Sequence, residues 1–317
     1  AAGLLTFLAV QDFEQALRIE QGIRLPLVIG NAVGVALFIG CVKILARERD
    51  ISEAKRQIEN ELNVARSIQM SMVPKIFPTF PAITQFELHA MMRPAKEVGG
   101  DLYNFIETEG DRFCFMVGDV SGKGVPASLF MAVAKTLLES EARSNQGQDC
   151  ALILERTNEG LCRDNHECMF VTVLFGVLNI HSGEVEFCSA GHPLPFVVRR
   201  NGEVNQPTGN TGMALGVMEG VPFQSLRLTL APGDALVLYS DGVSEAFSAA
   251  GTMFGEAGLG RTLRRLAADG EVPTAAHLTR MVTEAVDDFA DGAPQSDDIT
   301  ILALKYYGLD SPPVQAA

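Results

Sequence analysis

Short apolar runs that stop at an aspartate constrain this chain more than any other feature. Phe113-Cys114-Phe115-Met116-Val117 leads through Gly118 into Asp119, and Ala235-Leu236-Val237-Leu238-Tyr239 leads through Ser240 into Asp241. Asp297-Asp298 opens Ile299-Thr300-Ile301-Leu302-Ala303-Leu304, and a further aspartate, Asp101, comes after Gly99-Gly100. Apolar runs of this length bounded by Gly, Ser and Asp read as strands. The carboxylates therefore stand at strand ends, distant in sequence, and only folding can gather them. With glycines beside them, so that backbone and ligand approach closely, they suit an oxygen-ligand site for hard divalent cations such as Mg²⁺ or Mn²⁺. Ser240-Asp241-Gly242 taken alone reads better as an ordinary turn than as a metal site; the ordered set carries the reading.

The same patterning predicts strands over Phe86–Met92, Leu102–Thr108, Arg112–Val120, Met169–Ile180, Glu184–Ser189, Pro195–Arg199, Ser225–Leu230, Ala235–Ser240 and Ile299–Tyr306. Helices are expected at Val125–Ser144, Asp149–Arg163, Gly255–Ala268 and Thr274–Phe289. Hairpin-like links such as His181-Ser182-Gly183, with helices inserted in pairs, imply antiparallel sheets covered by helices, an α+β fold.

Composition removes several function classes. A net charge of −14, with no Lys/Arg cluster after residue 70, argues against nucleic acid as a partner, because binding the phosphate backbone needs a basic face. A metal-dependent phosphodiesterase or nuclease would share the aspartates but calls for metal-binding histidines and a basic groove, and neither is evident. The six cysteines, Cys41, Cys114, Cys150, Cys162, Cys168 and Cys188, include no C-x-x-C pair and read as reduced, mostly buried small hydrophobes of a cytosolic domain. His166 with Cys162 and Cys168 is the nearest approach to a zinc cluster, and its mixed spacing reads better as a linker.

The N-terminal part is organised differently. Leu25 to Val42 is eighteen residues without a charge, with Lys43, Arg47 and Arg49 directly after it. That length is near the lower limit for a membrane-spanning helix, and Gly30, Gly34 and Gly40 are tolerated there; a buried core helix is the alternative. Asp12, Glu14 and Glu20 ahead of the run argue against a secretory signal, and the basic residues after it place the rest of the chain in the cytoplasm. The chain opens Ala-Ala-Gly without Met, and Leu4–Val10 reads as the tail of another apolar segment, so a longer protein with a membrane sensor region is expected. Ile44, Ile51, Ile58, Ala65 and Met72 then recur every seven residues, with Ala54, Leu62 and Ile68 at the half-heptad. This is a coiled-coil-like pattern, implying a homodimer through the linker helix, or else a lone amphipathic helix lying on the next domain. Pro74, Pro78 and Pro81 end it.

Five motifs in order, Glu97-Val98-Gly99-Gly100-Asp101-Leu102-Tyr103, Gly118-Asp119-Val120-Ser121-Gly122-Lys123-Gly124, Ala190-Gly191-His192-Pro193, Tyr239-Ser240-Asp241-Gly242-Val243-Ser244-Glu245 and Ser296-Asp297-Asp298-Ile299-Thr300, resemble the metal-dependent PPM serine/threonine phosphatases, and most nearly the bacterial SpoIIE/RsbU-like branch. The resemblance covers roughly Glu61 to Tyr306 and implies an αββα sandwich of two antiparallel sheets flanked by helices, with two Mn²⁺ or Mg²⁺ ions. By motif, Asp119 would bridge both ions, the Val120 carbonyl would add an oxygen to one, Asp101 would act on the first, and Asp241 and Asp297 would complete the second; Asp101 and Asp119 are the catalytic pair. Asp298 competes with Asp297 and is otherwise a capping or turn residue. Gly122, Lys123 and Gly124, ahead of a helix N-terminus, are candidates for holding substrate phosphate, Lys123 being otherwise a surface lysine. His192 reads as a structural histidine rather than a general acid.

The implied organisation is a membrane segment at 1–45 ending a truncated sensor, a helical coiled-coil-like linker or switch helix at 46–80, a PPM-type phosphatase domain at 81–307 and a tail at 308–317. The implied substrate is a phosphorylated STAS-domain anti-sigma-factor antagonist, met in the cytoplasm by an enzyme held at the bacterial cell membrane. A catalytically silent PPM-like domain that only binds its partner is the alternative, against which all four metal-ligand positions are present.

Overall fold

The computed structural model describes residues 2–75, 83–108, 110–268 and 270–309, in two units that divide between Glu61 and Leu62. Helix α1, Ala2–Met72, accounts for the whole of the described first unit, running without a break through Pro26 and past residue 45. It is the one helix among the described residues that is long and apolar enough to cross a membrane, by length and composition. Along it Val33, Leu37 and Phe38 are exposed, and so are the heptad residues Ile44, Ile51 and Ile58.

The second unit begins with the last turns of α1. Here Ala65 and Met72 are half-buried and Gln69 and Val73 fully buried, while Ile68 stays 60% exposed. Ile68 is thus exposed as Ile44, Ile51 and Ile58 are, while Gln69 faces the domain, where its amide finds backbone partners. The helix stops ahead of Pro74; Pro78 and Pro81 lie outside the described residues, as do residues 76–80 of the expected linker and 310–317 of the expected tail.

Ten strands follow among the described residues: β1 (Phe86–Arg93), β2 (Leu102–Glu107), β3 (Arg112–Val120), β4 (Val171–Asn179), β5 (Glu184–Ala190), β6 (Phe196–Val198), β7 (Val204–Asn205), β8 (Ser225–Thr229), β9 (Ala235–Tyr239) and β10 (Ile299–Tyr306). They form two antiparallel sheets, ordered β1-β10-β9-β6-β7 and β2-β3-β4-β5-β8. Helices α2 (Val125–Asn145) and α3 (Cys150–Cys162) cover the second sheet, and α5 (Gly255–Leu266) and α6 (Ala275–Ala290) cover the first. Between β9 and α5, Asp241–Ser244 forms one helical turn, α4.

Burial on both faces explains why these strands read as unbroken apolar runs rather than as an alternation with polar residues. On β3, Phe113, Phe115 and Val117 enter the core between the sheets, whereas Cys114 and Met116 pack beneath α2 and α3. On β10, Leu302, Leu304 and Tyr306 face the other sheet while Ile299, Ile301 and Ala303 face α5 and α6. The period of two is intact, but each side has its own hydrophobic partner. Helix starts obey the sequence: Asp149 accepts from the Leu152 amide at 3.0 Å and Thr274 from the His277 amide at 3.2 Å. The short strand β7 and the turn α4 were not expected. Of the cysteines, Cys114, Cys150 and Cys188 are buried as expected, but Cys41 on α1 and Cys168, in a loop with φ 51°, are exposed.

Candidate metal centre

The two sheets bring their acidic strand ends together. Asp101 immediately precedes β2, and the pairing of Leu102 with Gly118 sets it across from Asp119 at the end of β3. From the other sheet, Asp241 begins α4 as β9 ends, and Asp297 and Asp298 stand just ahead of β10. Hydrogen bonds tie the sheets at this edge: Thr300 Oγ1 donates to Asp101 Oδ2 at 2.5 Å, and Asp298 accepts from the Ala95 and Gly100 amides, both at 2.7 Å. Close backbone approach fixes two glycines. A Cβ on Gly100 would come within 2.8 Å of the Val120 carbonyl oxygen, and one on Gly242 within 1.9 Å of the Asp298 carbonyl oxygen.

Burial and repulsion from neighbouring carboxylates make Asp101, Asp119 and Asp241 hard to ionise. Asp101 is held well above the ordinary carboxylate range by burial first, then by the charges of Asp119 and Asp298; bonds from Thr300 and Ser240 pull the other way. Asp119 is pushed up to about 7 by burial and then by Asp241, partly offset by a hydrogen bond with Asp101. Asp241 is raised to about 6 by burial, then by Glu245 and Asp297, with Lys123 opposing.

Asp101 Oδ1 is buried and has no hydrogen-bond partner in the protein. A buried, unpartnered carboxylate oxygen is costly unless something positive meets it. Among the described residues no three His, Cys, Asp or Glu side chains form a ready-made cage. The donors at this edge are nevertheless all hard oxygens, namely the carboxylates of Asp101, Asp119, Asp241 and Asp297 and the carbonyl of Val120, and a divalent cation would relieve the repulsion among them. The residues fit Mg²⁺ or Mn²⁺.

The sequence profile of the family described as Stage II sporulation protein E (SpoIIE) matches residues 109–307. The chain belongs to the SpoIIE family. Protein IcfG of Synechocystis is 28% identical over 269 residues, 77% of this chain and 41% of that protein. The phosphoserine phosphatase RsbU of Bacillus subtilis is 25% identical over 211 residues, 67% of this chain and 61% of RsbU. This SpoIIE-family chain thus spans only part of the length of both curated relatives. The SiaA-PP2C domain of Pseudomonas aeruginosa superposes with a TM-score of 0.69 at 22% identity, over 80% of this chain and 98% of that domain. The PPM-type resemblance and the αββα sandwich are both shown by these matches, and the C-terminal unit is a SpoIIE-family domain with a PP2C-like fold.

Within this domain the structure sorts the residues singled out in the sequence. Asp101, Asp119, Asp241 and Asp297 converge, each interacting electrostatically with another of the set. Asp298 is 6% exposed and caps the loop before β2. Lys123 is placed on Asp297 Oδ2, at 2.8 Å, and not free at the surface. Gly122 and Gly124 both take positive φ, 82° and 80°, and Gly124 opens α2 without a side-chain cap. His192 is buried: Nε2 bonds the Tyr239 carbonyl oxygen at 3.1 Å and Nδ1 bonds Thr172 Oγ1 at 2.9 Å. Sequence reasoning passed over Gln69, whose side chain donates to the Gly99 carbonyl at 2.6 Å and accepts from its amide at 3.1 Å. Ser240, Thr300 and Glu245 stood within the quoted motifs but were given no role; their nearness in sequence to the recognised aspartates was the available signal.

Proposed function

We propose that this chain is a metal-dependent protein serine/threonine phosphatase that removes phosphate from phosphoserine or phosphothreonine of a bacterial signalling partner. The observation that carries it is the meeting of Asp101, Asp119, Asp241 and Asp297 at one edge of the sandwich, with the buried Asp101 Oδ1 unpartnered. Asp119 would be shared by two ions, Asp101 and the Val120 carbonyl would serve one, and Asp241 and Asp297 the other. Bound there, Mn²⁺ or Mg²⁺ would supply positive charge against phosphate oxygens and lower the pKa of a water so that it loses its proton near neutral pH and becomes nucleophilic toward phosphorus.

The chain's own residues prepare that site. Thr300 orients Asp101, Asp298 pins the loop that carries it, and Gly100 keeps the Val120 carbonyl clear of side chains. The loop at Gly122–Gly124 and the start of α2 offer amide donors to phosphate oxygens.

The finer reading is a phosphatase acting on a phosphorylated STAS-type anti-sigma-factor antagonist in partner switching. Residues 1–45 anchor it in the bacterial membrane and the linker at 46–80 carries a dimerising switch helix, with 81–307 catalytic on the cytoplasmic side. The long apolar helix α1, its exposed heptad residues and the phosphoserine phosphatase activity named for RsbU support this. The test is phosphate release from phosphorylated STAS proteins by the whole chain in mild detergent, with and without Mn²⁺. Mn²⁺-dependent release is expected, with Asp119→Asn lowering it by about a hundredfold or more while the circular dichroism spectrum stays unchanged. A folded Asp119→Asn protein with near-normal turnover would refute the assignment.

A further inference from the structure

Lys123 reaches from the loop before α2 to the loop before β10. Its Nζ lies 2.8 Å from Asp297 Oδ2 and donates to the Ser296 carbonyl oxygen at 2.6 Å, so the ammonium grips two oxygens of one loop. Asp241 and Asp119 also interact with it. A lysine ammonium is a compact point charge. A divalent cation at bonding distance from Asp297 would meet it as a like charge. Acting as a plain surface lysine would not require a second bond to the Ser296 carbonyl, and acting as a phosphate grip would require the ammonium to leave this carboxylate.

We propose that Lys123 is a positioning residue that acts through Asp297: it serves as the built-in counter-cation of that carboxylate, and the ion taken up by Asp241 and Asp297 must displace it. The inference rests on the reading of those two aspartates as ligands of one ion. The two ions therefore bind unequally, the Asp241–Asp297 side being the weaker because its carboxylate is already engaged. Lys123 also joins the 121–124 loop to the 296–298 loop when no ion does, so loading the site releases the α2 loop from the β10 loop.

Two measurements on the whole chain in mild detergent test this. The first is the rate at which Lys123 of the unaltered protein is acetylated by a water-soluble reagent, measured by mass spectrometry. Mn²⁺ should speed labelling at Lys123, and a rate unchanged or slowed by Mn²⁺ would overturn the proposal. The second is a calorimetric Mn²⁺ titration. Lys123→Met should tighten the weaker binding event by roughly three- to tenfold, the scale of a partly exposed ion pair among further charges, and Lys123→Arg should not. A Lys123→Met isotherm that matches the unaltered protein would also overturn it. Asp241→Asn separates the two layers: it should abolish the weaker event. If both events survive Asp241→Asn, the metal assignment itself fails; if that event is lost while Lys123→Met changes nothing, only the role of the lysine does.

Discussion

Two adjacent aspartates have divided the work at the end of this fold. Asp297 is partly exposed and faces Lys123, while Asp298 is buried and satisfies the amides of Ala95 and Gly100. Asp297→Asn should therefore leave the melting temperature nearly unchanged and weaken Mn²⁺ binding. Asp298→Ala should instead unfold about 1–3 kcal/mol more easily, because buried amides lose their acceptor. Equal melting temperatures for the two variants would contradict this division. His192 supplies a pH test. Burial lowers its imidazole to about 4 from the ordinary 6.5, so the folded protein holds the ring neutral. A depressed folded-state value means the contribution is complete above about 6.5 and is lost as pH falls toward 4. The loss should approach about 3 kcal/mol, and His192→Gln should flatten the stability curve across that window. Urea melts at several pH values would show it; parallel curves for the two proteins would exclude His192 as the source.

At the scale of elements, the end of α1 is more than an entry to the domain. Gln69 holds both backbone groups of Gly99, two residues before Asp101. Gln69→Leu should raise the Mn²⁺ concentration for half-maximal activity several-fold, beyond its cost of about 1–3 kcal/mol in stability. A lower melting temperature with an unchanged Mn²⁺ requirement would reduce Gln69 to a packing role. The strands and long helices were legible because their apolar runs are continuous, and the aspartates because they end those runs beside Gly or Ser. Gln69 was illegible for a physical reason. A glutamine at a seam position of an amphipathic helix looks like a defect until the partner backbone is known, and Ile68 beside it satisfies the heptad better. The turn α4 was equally hidden, since Ser240-Asp241-Gly242 is also good turn chemistry. Lys123 was visible, but the Ser296 carbonyl it meets, beside the Asp297 carboxylate, lies 173 residues away.

For the whole molecule, a membrane-length helix, an apolar seam and a SpoIIE-family domain are joined in one chain. Ile44, Ile51 and Ile58 are exposed at about sixty per cent each, and Ala65 and Met72 continue their spacing into the domain. A dimerising coiled coil fused in register ahead of Ile51 should change basal activity, and inserting two or three residues near Glu59, which turns the seam off its face, should cancel that change. Activity indifferent to both alterations would make α1 a passive tether.

The carboxylates come from both sheets, Asp101 and Asp119 from one and Asp241 and Asp297 from the other, with Thr300 and Asp298 as stitches across the seam. Each sheet keeps its own ladder intact if it slips against its neighbour by a fraction of an ångström. The spacing between donors does not survive such a slip. On the proposed assignment of these carboxylates, metal affinity is a gauge of how the two layers are aligned, and a partner that leans on either layer has a way to change it without touching the centre.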